Sequence, residues 1–291
     1  MAMRIVAILF PLFAITALGF VAGRRLKPDL SHANKLNMDV FVPALVFAAL
    51  ANKEFHVTEY LPLLGATLLV VLGSGAVGWA VARMAGIDVR TFVPPQMFNN
   101  CGNLGLPLSV LAFGDSALAP AVAIFTVSNL LHFSYGAWLL DHKVRLINVW
   151  RVPSVLATLV GLAVGVAGIE VWPPLMHAIR MLGDIAIPLM LFALGVRLTD
   201  SRITSIGLGV FAAVLRPVSG MVLAWLVMLV IDLPPREQAL LLVFGALPPA
   251  VLNYIFAERY RQEPEKVASM VLIGNVTALL FLPLALALSL E

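Results

Sequence analysis

The sequence predicts an all-α polytopic membrane protein: ten transmembrane helices in two inverted five-helix repeats, two of the helices broken. Three observations predict it. The first is composition. Of 291 residues, 61% are apolar and 12% charged, and mean hydropathy is +0.98. Soluble domains carry about 25% charged residues. A soluble chain with this composition would lack the polar side chains to cover its surface, which excludes an ordinary cytosolic enzyme, a nucleic-acid-binding protein and a disordered chain. The second is run length. The apolar runs are continuous and about 20 residues long, as a helix crossing a bilayer requires, and no alternating barrel-strand pattern occurs. The third is internal repetition at half the chain length.

In order, the spans run 4–23, 34–52, 60–84, 91–112, 116–140, 152–171, 174–197, 204–231, 236–257 and 267–290. Span 1 follows Arg4 and has the start of a signal peptide. It is read as a span because its apolar stretch is span length and partly recurs in span 6. Span 2 contains DVFVPALVFA at 39–48, and span 7 contains DIAIPLMLFA at 184–193. Both fit D-x-x-x-P-x-x-x-F-A at an offset of 145, at which Val21-Ala22-Gly23 also meets Val166-Ala167-Gly168. Span 2 therefore pairs with span 7 and span 1 with span 6. Residues 1–146 hold the first repeat and 147–291 the second. Five spans per repeat is an odd number, so the second copy is inverted, as in secondary transporters.

Connections are short, and their basic residues set orientation. With the connections numbered alternately, one side holds 14 Lys and Arg (Arg24, Arg25, Lys27, Lys35, Arg83, Arg90, Lys143, Arg145, Arg151, Arg197, Arg202, Arg259, Arg261, Lys266). The other side holds 4: Arg4, Lys53, Arg180 and Arg236. The basic side is cytoplasmic by this rule. Both termini then face the periplasmic or extracellular side of a bacterial inner membrane. The single cysteine, Cys101, excludes an intrachain disulfide.

Span 4 contains QMFNNCGNLGLPLSV, with Asn100, Gly102, Asn103 and Pro107 within eight residues. Glycine costs about 1 kcal/mol and proline about 3 in a helix interior. Freed backbone groups at membrane depth need protein or a wet cavity to satisfy them. Span 9, its symmetry partner, contains FGALPPAVLNYIF, with Pro248, Pro249 and Asn253. Matched interruptions in the two halves point to a transport site. The competing reading is proline kinks with asparagines joining helices. Each break starts a half-helix, whose N-terminus favours an anion. Broken helices also bind Na⁺ through freed carbonyls.

Ionisable residues inside spans are expensive. Arg216 in span 8 costs about 2.5–3.5 kcal/mol by insertion scales and needs a reason: substrate charge, or carbonyls freed by a break. Asp39 and Asp184 are symmetry mates and, with His132 in span 5, are candidates for proton coupling. All three also suit helix–helix hydrogen bonding. No ATP-binding motif, metal-ligand cluster or cofactor signature is present, and no nucleic-acid partner is expected.

The segments NNCGNLGLPL and ALPPAVLNYIFAERY, the latter followed by Pro264, resemble spans 4 and 9 of the auxin efflux carrier family. That family includes the plant PIN-FORMED carriers and many bacterial permeases. Asn100 stands seven residues before the proline of a G-x-P, and Arg216 and Gly220 match the family's arginine and glycine of span 8. The resemblance covers the whole chain. It implies a scaffold of spans 1, 2, 6 and 7, forming a homodimer, and a transport domain of spans 3–5 and 8–10. It also implies that helices 4 and 9 cross at their breaks and hold a substrate carboxylate there. A second asparagine of plant members, at the start of span 6, falls on Ser154. A plant lysine near the start of span 3 falls on Leu63, beyond Glu59, which argues against auxin itself. Bacterial relatives are described as carriers of malonate, malate and similar carboxylates.

The resulting expectation is a non-enzymatic secondary carrier of a small mono- or dicarboxylate, working by alternating access of an elevator or rocking type. A Na⁺-coupled symporter of the bile-acid carrier type is the alternative. An intramembrane aspartyl protease using Asp39 and Asp184 is remote, because inversion places the pair on opposite halves of the membrane.

Overall fold

The computed structural model describes residues 1–51, 58–142, 146–200 and 203–290. Lys53, Lys143, Arg145 and Arg202, used above for orientation, lie outside the described residues. The described residues are helical between short turns and contain no strand beyond one isolated bridge, Asn99 with Pro249.

The first half begins with α1 (Ala2–Leu26), which ends on Lys27 in the left-handed conformation, its N–H bonded to Gly23 O. Asp29 accepts the Ser31 N–H at 2.9 Å in the turn that precedes α2 (Ser31–Leu36). A π turn, Asn37–Phe41, leads into α3 (Val42–Leu50). α4 (Leu61–Ala85) stops at Gly86, φ 67°, a C-cap only glycine takes without strain. Asp88 caps α5 (Val89–Met97) by accepting the Arg90 and Thr91 N–H groups. A π turn at Cys101–Gly105 then opens α6 (Leu106–Phe113). α7 (Leu118–Leu131) continues through a third π turn, His132–Gly136, into α8 (Ala137–Leu140).

The second half holds α9 (Pro153–Val166), α10 (Pro173–Asp200) and α11 (Ile206–Met228). It ends with α12 (Pro235–Ala246), α13 (Val251–Arg259) and α14 (Pro264–Ser289). Among the described residues, seven helical stretches are long and apolar enough to cross a membrane. The stretches read as spans 4 and 9 fall short because each is interrupted, and α9 is only 14 residues long.

Two packing groups emerge. In one, α1 runs along α10, and α3 packs on α9 and α10. Gly19 abuts the Phe192 carbonyl and Gly195 the Thr16 carbonyl, so a Cβ at either would overlap backbone. Small residues allow helices to approach closely where lipid supplies no hydrophobic drive. In the other group, α11 packs on α14, α12 and α4, and α4 on α5. There Gly220 and Gly245 meet backbone to backbone: a Cβ on Gly245 would lie 2.5 Å from Gly220 O.

Candidate functional site

The two interruptions face each other. α5 ends at Met97 and its half-helix partner begins at Cys101; α12 ends at Ala246 and α13 begins at Val251. Between them the chains pair antiparallel for two hydrogen bonds. The Asn100 N–H donates to Pro248 O (2.8 Å), and the Ala250 N–H donates to Phe98 O (3.0 Å). Side-chain amides reinforce this pairing and take up further freed carbonyls. Asn99 Nδ2 donates to Phe244 O (2.6 Å) and Asn253 Nδ2 to Phe98 O (2.9 Å). Asn275, from α14, donates to Pro249 O (3.2 Å) and accepts from Asn100 Nδ2 (3.0 Å). Asparagine suits this task because it offers donor and acceptor on one short side chain. Buried carbonyls left without partners would cost about 1–3 kcal/mol each.

A cavity of about 590 Å³ lies on one side of this crossing, where the two packing groups meet. The first residues of both half-helices line it: Cys101, Gly102 and Asn103 from one, Ala250, Val251 and Leu252 from the other. The N–H groups that open a helix have no intrahelical acceptor and carry its positive dipole end. The remaining wall comes from the π turn holding Asp39, from α7 and its π turn, from the start of α9 and from α10. Three cationic side chains line it, Lys35, Arg151 and Arg197, against the single carboxylate Asp39. The described wall is therefore net cationic.

Asn100, Gly102, Asn103, Ser154, Asp39 and His132, all expected at the site, line this cavity. Besides Asn100, which donates to Asn275, two of them are engaged with neighbours. Ser154 Oγ accepts from Asn129 Nδ2 at 3.0 Å. His132 stacks on Phe98 with ring centroids 4.1 Å apart and meets Phe256 edge-on at 5.1 Å.

Pro107, Pro248, Pro249, Asn253, Arg216 and Asp184 are not among the residues that line it. The interruption of span 4 falls at Phe98–Asn100, not at Pro107. Pro107 stands just after the π turn Cys101–Gly105, inside a helical run that continues from Cys101 to Phe113. Pro248, Pro249 and Asn253 shape and satisfy the crossing from behind. Arg216 is fully buried and points its Nη1 at Gly245 O, 3.4 Å away, in the last turn of α12. A cation there complements the negative end of the helix. Asp184 is exposed on α10, outside the cavity.

The residue reading missed Arg151, Arg197 and Lys35, which it used only as topology signals, and Asn275. The available signal for Asn275 was an amide in an otherwise apolar span; the cations carried none, because distant segments assemble the wall. No group of three metal-ligating side chains occurs among the described residues.

The family described as "Membrane transport protein" matches residues 4–149 and again residues 138–286, two successive matches on one chain. A Rhizobium meliloti protein named "Putative malonate transporter" is 27% identical, with 96% of each chain covered. An uncharacterized transporter of Methanocaldococcus jannaschii is 21% identical over 87% of this chain and 88% of its own. With both halves matched, the chain belongs to this membrane transport family, the auxin efflux carriers that its span 4 and span 9 motifs resemble.

Proposed function

We propose that this chain carries a small organic anion, a mono- or dicarboxylate, across the membrane by alternating access. The single observation that carries the reading is that both half-helix N-termini open onto one cavity whose charged wall is cationic. The carbonyls freed at the breaks, which would serve a cation, are engaged by Asn99, Asn253, Asn275, Arg216 and backbone N–H groups. This favours an anion at the crossing over Na⁺.

In this reading the helical stretches form ten spans in two inverted repeats, residues 1–146 and 147–291. The group α1–α3, α9 and α10 is the scaffold. The group carrying the crossing moves against it. Thr126 and Thr158 hydroxyls, 3.4 Å apart, and the Asn129–Ser154 bond join the groups and must part for the movement. Lys35, Arg151 and Arg197 belong to the basic side, so the cavity faces the cytoplasm and both termini face away from it.

The named relative makes malonate the first probe. Thermal-shift titration of the purified protein with malonate, its dimethyl ester, malonamide and a diamine of similar size tests the charge assignment. Malonate or a monocarboxylate should stabilise the protein, and counter-flow in proteoliposomes should show its exchange. Stabilisation by the diester, the diamide or the diamine, with none by carboxylates, overturns the reading.

A further inference from the structure

A second recess, of about 730 Å³, adjoins the first. The ends of α1 and α10 and the turn between α1 and α2 wall it. Its charged lining is Arg24, Lys27 and Arg197 against Asp29. The backbone and side-chain hydrogen bonds of Ser31 hold the Asp29 carboxyl below the usual carboxylate range, so it counts as an anion. Among the described lining residues cations therefore predominate. Arg24 is held against α1, its guanidinium 5.5 Å from the Phe20 ring centroid. Ser31 and Thr199 add hydroxyls to the wall. The two recesses share Asn34, Ala193 and Arg197, so they meet along α10, and one guanidinium belongs to both.

We propose that this basic recess is a second anion site, a vestibule that takes the same small carboxylate as the crossing and hands it on past Arg197. The inference rests on the anion-carrier reading above. A recess of one charge sign concentrates the opposite ion and raises its association rate, by about 10- to 1,000-fold in strong cases. The effect weakens with salt, because the Debye length is about 8 Å at physiological ionic strength. A phospholipid headgroup would also suit the Arg24 and Lys27 charges. The shared wall with the cavity favours the transported anion.

The test uses everted membrane vesicles, which expose the basic side, right-side-out vesicles, and proteoliposomes of zwitterionic lipid alone or with added anionic lipid. Radiolabelled malonate is followed in the wild type, in the double variant Arg24→Gln with Lys27→Asn, and in Asp29→Asn. Asparagine tolerates the left-handed backbone at residue 27. In everted vesicles the double variant should raise KM for malonate about three- to tenfold, with kcat held and the salt dependence of kcat/KM flattened. Right-side-out vesicles should show a much smaller change. Asp29→Asn keeps the oxygen that accepts from Ser31 and should lower KM, a gain that damage to the fold does not produce. Unchanged KM in both variants, or equal losses from both membrane faces, overturns the vestibule. A variant effect present only with anionic lipid assigns the recess to a headgroup and also overturns it. Wild-type vesicles that exchange no carboxylate at all refute the carrier reading itself, and this inference with it.

Discussion

Replacing Asn275 by alanine should destabilise the crossing and, through it, the site. Asn275 is the side chain that ties both breaks to α14. Its Oδ1 accepts from Asn100 Nδ2 at 3.0 Å, and its Nδ2 donates to Pro249 O at 3.2 Å and to Val271 O at 2.8 Å. Val271 O lies in an intact helical turn, so its loss there is minor. Pro249 is buried and away from the cavity, and its orphaned carbonyl should cost about 1–3 kcal/mol. Asn100 is buried but lines the cavity, so its released amide can meet water, and only the net value of one hydrogen bond, about 0.5–1.5 kcal/mol, is lost. The sum is about 3 kcal/mol. At about 2–4 °C per kcal/mol for chains of comparable size, Tm should fall by roughly 6–12 °C. A double-mutant cycle isolates the pair. Asn100→Ala with Asn275→Ala should cost about 1 kcal/mol less than the sum of the single variants, because both ends of one bond are then gone. A Tm within about 1 °C of wild type for Asn275→Ala, or strict additivity in the cycle, would refute the reasoning.

Gly220→Ala and Gly245→Ala each drive a methyl group into the backbone of the facing helix, and neither α11 nor α12 can yield without moving the crossing. Overpacking against side chains costs about 1–3 kcal/mol; backbone contact should exceed this. Both variants should therefore fail to give a monodisperse peak in size-exclusion chromatography, and a wild-type profile would contradict the packing. Glu263 bonds to Lys266 and to Thr91, and these partners hold its carboxyl below the ordinary 4.5. A carboxylate depressed in the native state contributes stability above the unfolded value and loses it as pH falls through the native one. The Tm gap between wild type and Glu263→Gln should thus be full at neutral pH and close below about pH 4.5. A gap that widens on acidification would contradict this. Single cysteines at exposed Arg236 and Lys27 report orientation: in intact cells an impermeant maleimide should label residue 236 and spare residue 27. The reverse pattern would invert the membrane assignment.

Legibility of the sequence followed the range of the interactions involved. Composition and run length are properties of the solvent the chain must meet, so the helical membrane architecture was visible without any contact being known. The Asn, Gly and Pro clusters at 99–107 and 245–253 were visible because interrupted helices need local chemistry. The exact break was not. Pro107 carries the stronger breaking propensity, but the π turn at Cys101–Gly105 absorbs it, and the chain opens at Phe98–Asn100, where the facing backbone supplies partners. Asp39 and Asp184 share a motif but not an environment. The first lies in a π turn on the cavity wall and the second on an uninterrupted helix facing outward. Cations brought together from the α2, α9 and α10 segments are invisible to any local pattern.

The geometry of the crossing also changes what Arg216 should do. Each half-helix N-terminus abuts the C-terminal carbonyls of the other helix: Ala250 N–H on Phe98 O, Asn100 N–H on Pro248 O. Opposed dipole ends at hydrogen-bond distance cancel part of each other's field, so the half-helix N-termini act on an anion together with the cationic wall and not alone. Arg216 is different in kind. It is fully buried and has no carboxylate within 4 Å among the described residues. Its Nη1 meets Gly245 O, next to Phe244, whose carbonyl accepts from Asn99 on the cavity wall. A unit charge about 10 Å away at an effective dielectric of about 20 interacts by about 1.7 kcal/mol. Acting through space, it stabilises an anion in proportion to the anion's charge. Arg216→Gln should therefore weaken a monocarboxylate about 20-fold and a dicarboxylate about 300-fold, measured by titration calorimetry on the purified protein at low salt. Direct contact with a second carboxylate predicts something else: loss of dicarboxylates alone, monocarboxylates retained. A purely structural role predicts equal losses. Only a loss that scales with ligand charge supports the buried cation as the source of the field.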